Sequence, residues 1–359
     1  MSHWENPLLL REESFDEAWS RSEERSILLV AGSGFDPRAT VVPERLLNAT
    51  DRRIDGLIID LPEDATDLAV RPLALANQAR IGELVAASGG ELRTQALPPF
   101  HDSRSLGRLI SRHFLNSGIL SAYGEVMLEI SAMPRSVFFP LVRGVLQLAH
   151  LPEGDSQRWE GNFHVAVCEN SDVDRSILEE GTTPMAPIGG FGGAHGDDPR
   201  TTIWVPVLGE KAASRVERLY GELNPDETCP VLPWPSRDPR RADRLALEHR
   251  RLLFEEIRIE PRNVIHAAER NPFDLYRTLG LLHERYEHAL SPLGPVAMVL
   301  SSHSSKLLSV GVLLTAYAHE LQVQHVSPGS YGLHEDADEE TLRDGDEIYD
   351  LWLTGEPYQ

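Results

Sequence analysis

Short apolar runs alternate with longer segments of helical periodicity along most of this chain. Runs that are apolar enough for buried strands lie at 26–32, 54–60, 91–97, 125–130, 162–168, 201–207, 295–301 and 321–326. Helical patterns lie between them at 68–88, 103–120, 137–149, 211–223, 240–256, 271–289 and 306–319. Continuous apolar strands that alternate with helices are typical of a parallel sheet covered on both faces. The pattern predicts an α/β fold with a Rossmann-like parallel sheet and helices on both faces; two Rossmann-like halves are the alternative arrangement.

The same pattern divides the chain into three parts. Residues 1–25 are predicted to form an N-terminal arm or helix. Residues 26–332 form a Rossmann-like domain, with 26–170 and 200–332 as its alternative halves, and 333–359 form an acidic C-terminal tail. The segment 180–200 carries paired glycines at 189–190 and 192–193. It is too rich in glycine for a helix or strand and is predicted to be a loop.

The C-terminal tail has two contrasting parts. Residues 333–359 include ten acidic residues and one arginine, so the stretch up to about residue 346 is predicted to be disordered. The residues that follow form an apolar cluster of Ile348, Tyr349, Leu351, Trp352 and Leu353. This cluster either docks onto a partner protein or packs against the chain's own surface.

Composition restricts both the ligand and the compartment. The formal net charge of −22 predicts a surface that repels nucleic acids and anionic membranes, so an anionic ligand needs a local basic pocket. Cys168 and Cys229, the two cysteines, lie in apolar surroundings and are expected to be reduced thiols. The sequence lacks an apolar run of the ~18 residues that span a membrane, and its charged N-terminus differs from a secretory signal. These features predict a cytoplasmic protein.

The first candidate ligand loop follows the first apolar run. Gly32, Ser33 and Gly34 end that strand, and Asp36 and Arg38 flank a proline suited to a first helical turn. Glycines let backbone N–H groups approach a phosphate, a helix N-terminus adds partial positive charge, and arginine adds a fork of donors. A tight turn without a ligand explains the same residues, and both interpretations stay open.

A second loop of this kind follows the run at 295–301. Ser304, Ser305 and Lys306 stand between a strand and a helix, and Lys306 is one of only two lysines, the other being Lys211. Small hydroxyls donate to phosphate oxygens or cap a helix, and lysine adds a compact positive charge. The alternative is a serine-rich helix cap followed by a solvated lysine.

Other strand ends add polar and aromatic groups. Glu129 and Arg135 flank the turn after the run at 125–130, where they form an ion pair or contact a ribose hydroxyl and a phosphate. Tyr331 follows the last run and either stacks on a base or belongs to a plain turn. The loop 233–240 brings Trp234 and two arginines toward a strand end. Because ligands bind at the carboxyl ends of parallel strands, we expect these residues at one edge of one sheet.

The sequence does not contain the common hydrolase and metal-binding motifs. CxxC, HExxH and GxSxG do not occur, and His283 and His288 are five residues apart, which does not align them on one helix face. Catalytic zinc and a nucleophile elbow are therefore not expected. No cofactor is evident, apart from a nucleotide ligand.

Two of the candidate loops resemble those of CARF domains, which are Rossmann-like sensors of cyclic oligonucleotides in prokaryotic antiviral systems. The Gly32-Ser33 turn is similar to their first ligand loop, and Ser302-His303-Ser304-Ser305-Lys306 to the motif of their late loop. The helix, strand and Pro-x-x-Tyr of residues 307–331 look similar too. The resemblance implies a dimeric nucleotide sensor within bacterial defence.

The residues and the resemblance together predict a nucleotide-binding regulatory component of an anti-phage defence system. Binding would shift a conformational equilibrium that a partner protein or a second copy reads. One alternative is an enzyme that acts on a nucleotide, with Asp36 or Glu129 as general base and Lys306 or Arg135 stabilising phosphate charge. The other is a scaffold whose degenerate pocket is empty.

Overall fold

The computed structural model divides the chain into two compact units. It describes residues 4–21, 25–60, 70–98, 103–115, 118–193, 200–328, 330–333 and 345–358. The first unit comprises Trp4–Gly181 together with residues 328–358, and the second unit comprises Thr182–Ser327. The second unit is thus inserted into the sequence of the first. The sequence-based boundaries at 25, 170, 200 and 332 stay a prediction.

The first unit is built on a seven-stranded sheet. Its strands are β1 (Leu8–Leu10), β2 (Ile27–Gly32), β3 (Ile54–Asp60), β4 (Leu92–Ala96), β5 (Glu125–Glu129), β6 (Asn162–Glu169) and β16 (Glu347–Thr354). Their order is β1-β16-β6-β5-β2-β3-β4, and β2 to β6 are parallel. β2 is buried at every position and lies centrally, whereas the polar β4 lies at an edge. A separate pair joins β7 (Ile177–Glu180) to β15 (Ser330–Leu333).

Helices contribute to the hydrophobic core of the first unit. They are α1 (Glu12–Trp19), α2 (Val41–Ala49), α3 (Arg71–Ala87), α4 (Ser103–His113), α5 (Arg135–Ala149) and α6 (Ser171–Ser176). Phe15 and Trp19 of α1 and Leu46 of α2 pack with strand residues such as Leu29 and Ile58 in one buried cluster. The segment predicted as an N-terminal arm or helix therefore supplies core residues.

The second unit has its own sheet. Its strands are β8 (Ala186–Gly192), β9 (Thr201–Val207), β10 (Glu227–Thr228), β11 (Val231–Pro233), β12 (Ile265–Ala267), β13 (Val296–Ser302) and β14 (Gln322–His325). Six of them follow the order β12-β11-β9-β13-β14-β8, and β10 pairs with β9. The helices are α7 (Ala213–Leu223), α8 (Arg241–Glu248), α9 (Pro272–Leu290) and α10 (Lys306–Ala318), with a π-helical turn at Arg251–Glu256.

Both sheets use one strand order. If the parallel strands of each unit are counted along the chain without the two-residue β10, their spatial order is 3-2-1-4-5 in both, with an antiparallel strand beside the fifth. This is the order of a doubly wound Rossmann-like sheet. The predicted fold class is confirmed, in its form with two Rossmann-like halves.

The segment 186–192 corrects the sequence-based expectation of a loop. It forms β8, which pairs antiparallel with β14 despite the glycines at 189, 190 and 192. The pairing register shifts between Gln322 and Gln324, and Gly190 has a positive φ of 87°. Glycine is tolerated at an edge strand with an irregular register, because a bulge needs its conformational freedom.

The apolar cluster near the C-terminus packs within the first unit. β16 lies between β1 and β6, and Leu351 and Leu353 are fully buried in it. The buried Asp350 carboxylate lies 3.0 Å from Nδ1 of His164 and accepts a hydrogen bond of 2.9 Å from Trp19. These contacts favour packing on the chain's own surface, one of the two alternatives left open. Residues 334–344, predicted to be disordered, lie outside the described residues.

Helix α10 is apolar on all sides and buried. Residues 307–316 are buried without exception, and Gly311 lets the helix approach α9, since a Cβ there would lie 2.5 Å from the carbonyl oxygen of Pro272. A helix that is apolar all round belongs to the interior. Among the helices in the described part of the chain, none is both long and apolar enough to cross a membrane.

Candidate functional site

Each sheet has one topological switch point, where the first and fourth parallel strands are neighbours. In the first unit these strands are β2 and β5, and in the second unit β9 and β13. Ligands of open α/β sheets bind at the carboxyl ends of the strands at such a point. We call the loops 33–38 and 130–135 the first switch point, and the loops 208–212 and 303–306 the second switch point.

The expectation that all candidate residues share one sheet edge is wrong. Gly32, Ser33, Gly34, Asp36, Arg38, Glu129 and Arg135 belong to the first switch point or the strands that lead into it, whereas Ser304, Ser305 and Lys306 belong to the second. Alternating strands and helices show that strands exist but not which strands pair. One continuous series along the chain was therefore compatible with one sheet or with two.

A glycine closes each switch point in the same way. A Cβ on Gly34 would lie 2.1 Å from the carbonyl oxygen of Ala132, and a Cβ on Gly209 would lie 2.0 Å from that of His303. In both units the loop after the first strand therefore packs directly on the loop after the fourth. These glycines permit contact between two loops, which is a different role from the predicted approach of a phosphate to Gly34.

Charged groups of the first switch point form ion pairs with other residues of the first unit. Arg38 is 4% exposed, and its guanidinium binds both carboxylate oxygens of Asp36 and one oxygen of Asp174, at 2.7–2.9 Å. Burial alone would lower the pKa of Arg38, but the charges of Asp36 and Asp174 hold it well above its usual value. Asp36 also caps the following turn by accepting from the backbone of Arg38. The pair is a buried structural ion pair.

The remaining candidates of the first unit lie around this pair. Glu129 has no exposed surface and accepts a 2.7 Å hydrogen bond from the backbone N–H of Ser131. Arg135, half-buried, begins α5. The ring of Tyr331 lies 6.2 Å from that of Phe35, so Tyr331 accompanies the first loop. The positions of Asp36 and Glu129 fit structural roles better than that of a general base.

Serines of the second switch point mainly organise the turn. The hydroxyls of Ser302 and Ser309 lie 2.8 Å apart, and Ser309 donates to the carbonyl of Ser305. Ser305 caps α10 by accepting from the N–H of Leu308. Ser304 is 6% exposed. The capping role predicted as the alternative for this loop is therefore present, and it fixes where α10 and Lys306 begin.

Both lysines of the chain lie at the second switch point. Lys211 follows β9 in the first loop, and Lys306 follows β13 as the first residue of α10. Lys211 has a positive φ of 56°, a conformation that residues other than glycine adopt rarely and often at functional sites. The carbonyl of the preceding Gly209 accepts a hydrogen bond from Nε2 of the buried His249 at 3.1 Å. The loop that carries Lys211 is therefore held in place.

A network of ion pairs in the second unit lies beside Lys211. Arg241 binds both carboxylate oxygens of Glu210, at 2.7 and 2.8 Å, and also contacts Glu269 in the loop after β12. Although burial would raise it, the pKa of Glu210 is lowered by the hydrogen bonds and the charge of Arg241. The network ties three strand-end segments together, and its one arginine and two carboxylates leave it with a formal charge of −1.

The balance of basic and acidic residues differs between the carboxyl edges of the two sheets. In the second unit, the segments 208–212, 234–241, 268–271 and 303–306 contain six basic and three acidic residues. In the first unit, the described segments 33–38, 130–135 and 170–175 contain three of each. Since the whole chain has a net charge of −22, the basic excess at the carboxyl edge of the second sheet is a local feature. A local excess of basic residues attracts an anionic ligand.

No family model matches this chain. No curated protein sequence matches it either. Solved structures similar to it include a candidate universal stress protein from Pseudomonas aeruginosa UCBPP-PA14, with 12% identity, coverage of 86% of this chain and 94% of that chain, and a TM-score of 0.23. A universal stress protein from Archaeoglobus fulgidus DSM 4304 has 11% identity, covers 88% and 98%, and has a TM-score of 0.22. Similarity at this level supports no inference about the activity of the chain.

The sequence-based selection missed Lys211 and the Glu210–Arg241 pair. The sequence pattern identifies Lys211 as a rare residue but places it in a helix, whereas α7 begins at Ala213 and leaves Lys211 in the loop. The signal was present, because a rare lysine directly follows the strand at 201–207. Across the described residues, no group of three or more His, Cys, Asp or Glu side chains is placed to hold a metal ion.

Proposed function

We propose that this protein binds a nucleotide, or a related phosphate-bearing small molecule, at the second switch point and reports the bound state to a partner. The observation that carries the proposal is the position of the two lysines of the chain. They follow the two strands that flank the switch point of the second sheet. Carboxyl-end loops of such sheets hold phosphates, with backbone N–H groups and positive side chains as donors.

The properties of the first switch point support this assignment by contrast. There the arginine of the loop is committed to Asp36 and Asp174, and the carboxylate of Glu129 is buried. The second switch point instead has a basic excess, and its serines and ion network hold the loops in place. Such preorganisation lowers the entropy lost when a ligand binds.

The proposed role in regulation comes from the resemblance to CARF domains. Residues 302–331 carry the similar late loop, helix and strand, although the first-strand loop on the same sheet is 208–212 rather than 32–34. We extend the proposal to sensing of a cyclic oligonucleotide within an anti-phage system, with a second copy or another protein reading the state. A ligand achieves this by binding one conformation better than another.

Calorimetric titration of the full chain with ATP and with cyclic tetraadenylate tests the proposal, together with mass spectrometry of small molecules released from the purified protein. We expect Lys211→Ala and Lys306→Ala to weaken binding roughly 10- to 150-fold each, the range for a hydrogen bond to a charged group. Melting temperatures should change little, because both residues lie in loops or at a helix start.

Arg135→Ala is the matched control, because Arg135 begins the helix after the fourth strand of the first sheet, as Lys306 does in the second. It should leave the dissociation constant unchanged. Equal losses in Arg135→Ala and Lys306→Ala would contradict the assignment to the second switch point. A purified protein that releases no phosphate-bearing molecule and binds neither probe would contradict the proposal as a whole.

A further inference from the structure

Trp234 differs from every other tryptophan of the chain. The other five are at most 7% exposed, whereas Trp234 is 57% exposed. It directly follows β11, the strand next to β9 in the second sheet. A large aromatic side chain in water gives up the free energy that burial provides, roughly 25 cal/mol per Å². The fold of the second unit therefore leaves a stacking surface at the carboxyl edge of its sheet.

The loop that carries Trp234 is held on both sides by the neighbouring strand end. The N–H of Trp234 donates to the carbonyl of Ala267 at 2.7 Å, and the N–H of Glu269 donates to the carbonyl of Pro235 at 3.0 Å. The N–H of Arg237 donates to the Glu269 carboxylate at 2.6 Å. These bonds fix the backbone of the loop, and with it the point from which the exposed indole projects.

The neighbours of the indole suit a nucleotide. The rings of Trp234 and His266 form a T-shaped contact, with their centroids 6.1 Å apart. Neighbouring strands lie about 4.8 Å apart, so the loop after β11 is adjacent to the loop after β9 that carries Lys211. Glu269, which fixes the Trp234 loop, also contacts Arg241 of the ion network beside Lys211. The exposed indole and the proposed phosphate-binding loop therefore share one edge and one hydrogen-bonded framework.

We propose that Trp234 stacks on the base of the ligand whose phosphate is held at the second switch point, so that the site selects a nucleotide over a simple phosphate. This inference rests on the proposed function. Stacking on an aromatic side chain tolerates any base, because every base has a π face. The lysines then provide affinity for phosphate, and Trp234 adds affinity only for ligands that contain a base.

The test compares a ligand with a base and a ligand without one. The full chain is titrated with whichever of ATP and cyclic tetraadenylate binds the unsubstituted protein, and with tripolyphosphate. Trp234→Ala should weaken nucleotide binding roughly 5- to 150-fold, the effect of losing one stacked base, and leave tripolyphosphate binding unchanged. Trp234→Phe should retain most of the affinity. Lys306→Ala should weaken binding of both ligands.

Fluorescence quenching by acrylamide adds a readout of contact, since the other five tryptophans are buried. The nucleotide should protect Trp234 from quenching, and tripolyphosphate should not. Leu293→Ala is the control, because it truncates a side chain of the second unit that is 82% exposed. It should change neither the binding of the nucleotide nor the protection of Trp234 from quenching.

The outcomes separate the two proposals. If Trp234→Ala binds the nucleotide as the unsubstituted protein does while Lys306→Ala does not, the stacking inference is wrong and the proposed function stands. If Trp234→Ala instead changes only the oligomeric state, the indole is a protein contact and the inference is equally wrong. If the unsubstituted protein binds neither the nucleotides nor tripolyphosphate, both proposals fail.

Discussion

The two units share a strand order but use their switch points differently. In each, a glycine two residues beyond the first strand packs on a carbonyl of the loop after the fourth strand, at Gly34–Ala132 and at Gly209–His303. The first unit then buries an arginine between two aspartates, whereas the second places a lysine after each strand. The backbone topology is thus common to the two units, and the charged side chains at the strand ends differ between them.

Arg38→Ala should have the largest effect on stability. It removes one partner of a buried ion pair and leaves the carboxylate of Asp36, which is 4% exposed, without its guanidinium. Breaking a buried pair in this way costs about 3–5 kcal/mol, and urea denaturation measures it. Ligand affinity should not change, because the pair belongs to the first switch point.

Arg80→Ala is the matched control for this prediction. Arg80 pairs with Glu44 and Glu83 but is 47% exposed, and exposed pairs contribute little to stability because water and salt screen them. If Arg38→Ala were as mild as Arg80→Ala, or if it abolished nucleotide binding, the contrast between a structural first switch point and a binding second one would be wrong.

Alanine at the two equivalent glycines sharpens the comparison. Since a Cβ at position 34 or 209 would lie about 2 Å from a backbone carbonyl oxygen, each loop must move. Overpacking of this kind costs about 1–3 kcal/mol, so both variants should unfold at lower urea concentration. Only Gly209→Ala should also weaken ligand binding, because only that loop carries a proposed site residue.

Gly221→Ala provides the control for added methyl groups. Gly221 lies in α7, with nothing within 4 Å of the added Cβ. Replacing glycine by alanine within a helix stabilises it by roughly 0.5–1 kcal/mol. Equal loss of ligand affinity in Gly34→Ala and Gly209→Ala would show that the second switch point has no special role.

The long apolar patterns allowed the fold class to be predicted. The strands Ile54–Asp60 and Thr201–Val207 match their predicted bounds, because continuous apolar runs between polar turns are local signals. The three-residue strands β11 and β12 were missed, since so short a run has no measurable period. The glycine-rich β8 was misassigned because its pairing with β14, rather than its composition, makes it a strand.

Predictions for the site depended on contacts that local patterns do not encode. The Gly32–Gly34 turn indicated a phosphate loop, but the neighbour of Gly34 is the carbonyl of Ala132, far away in sequence. Arg38 was expected to bind a ligand, yet its partner Asp174 belongs to a helix that only the folded chain brings near. The place of Lys306 at the start of a helix could be predicted, because the helical pattern after it is a local signal, whereas its role in binding stays a prediction.

The smallest predicted effect concerns His283 and His319 of the second unit. Among the ring contacts of the described residues, this is the only one between two histidines. The rings of His319 and His283 lie 5.0 Å apart, and burial together with the neighbouring His283 lowers the pKa of His319, outweighing the opposite influence of Glu284. By contrast, His164 of the first unit faces the carboxylate of Asp350. The surroundings of His319 and His164 therefore differ between the two units, as the charged groups at the two switch points do.

The lowered pKa gives a pH dependence of definite sign. Above the unfolded value of about 6.5, His319 is neutral in both states and has no effect. As the pH falls below that value, the unfolded chain takes up a proton before the folded chain does, so the free energy of unfolding decreases until the folded pKa is passed. His319→Gln should therefore lose less stability than the unsubstituted protein between about pH 7.5 and 5.5, a difference of roughly 2 °C or less in melting temperature.

His288→Gln, on the exposed side of α9, should follow the unsubstituted protein. Parallel curves for the protein and His319→Gln would show that folding does not lower the pKa of His319.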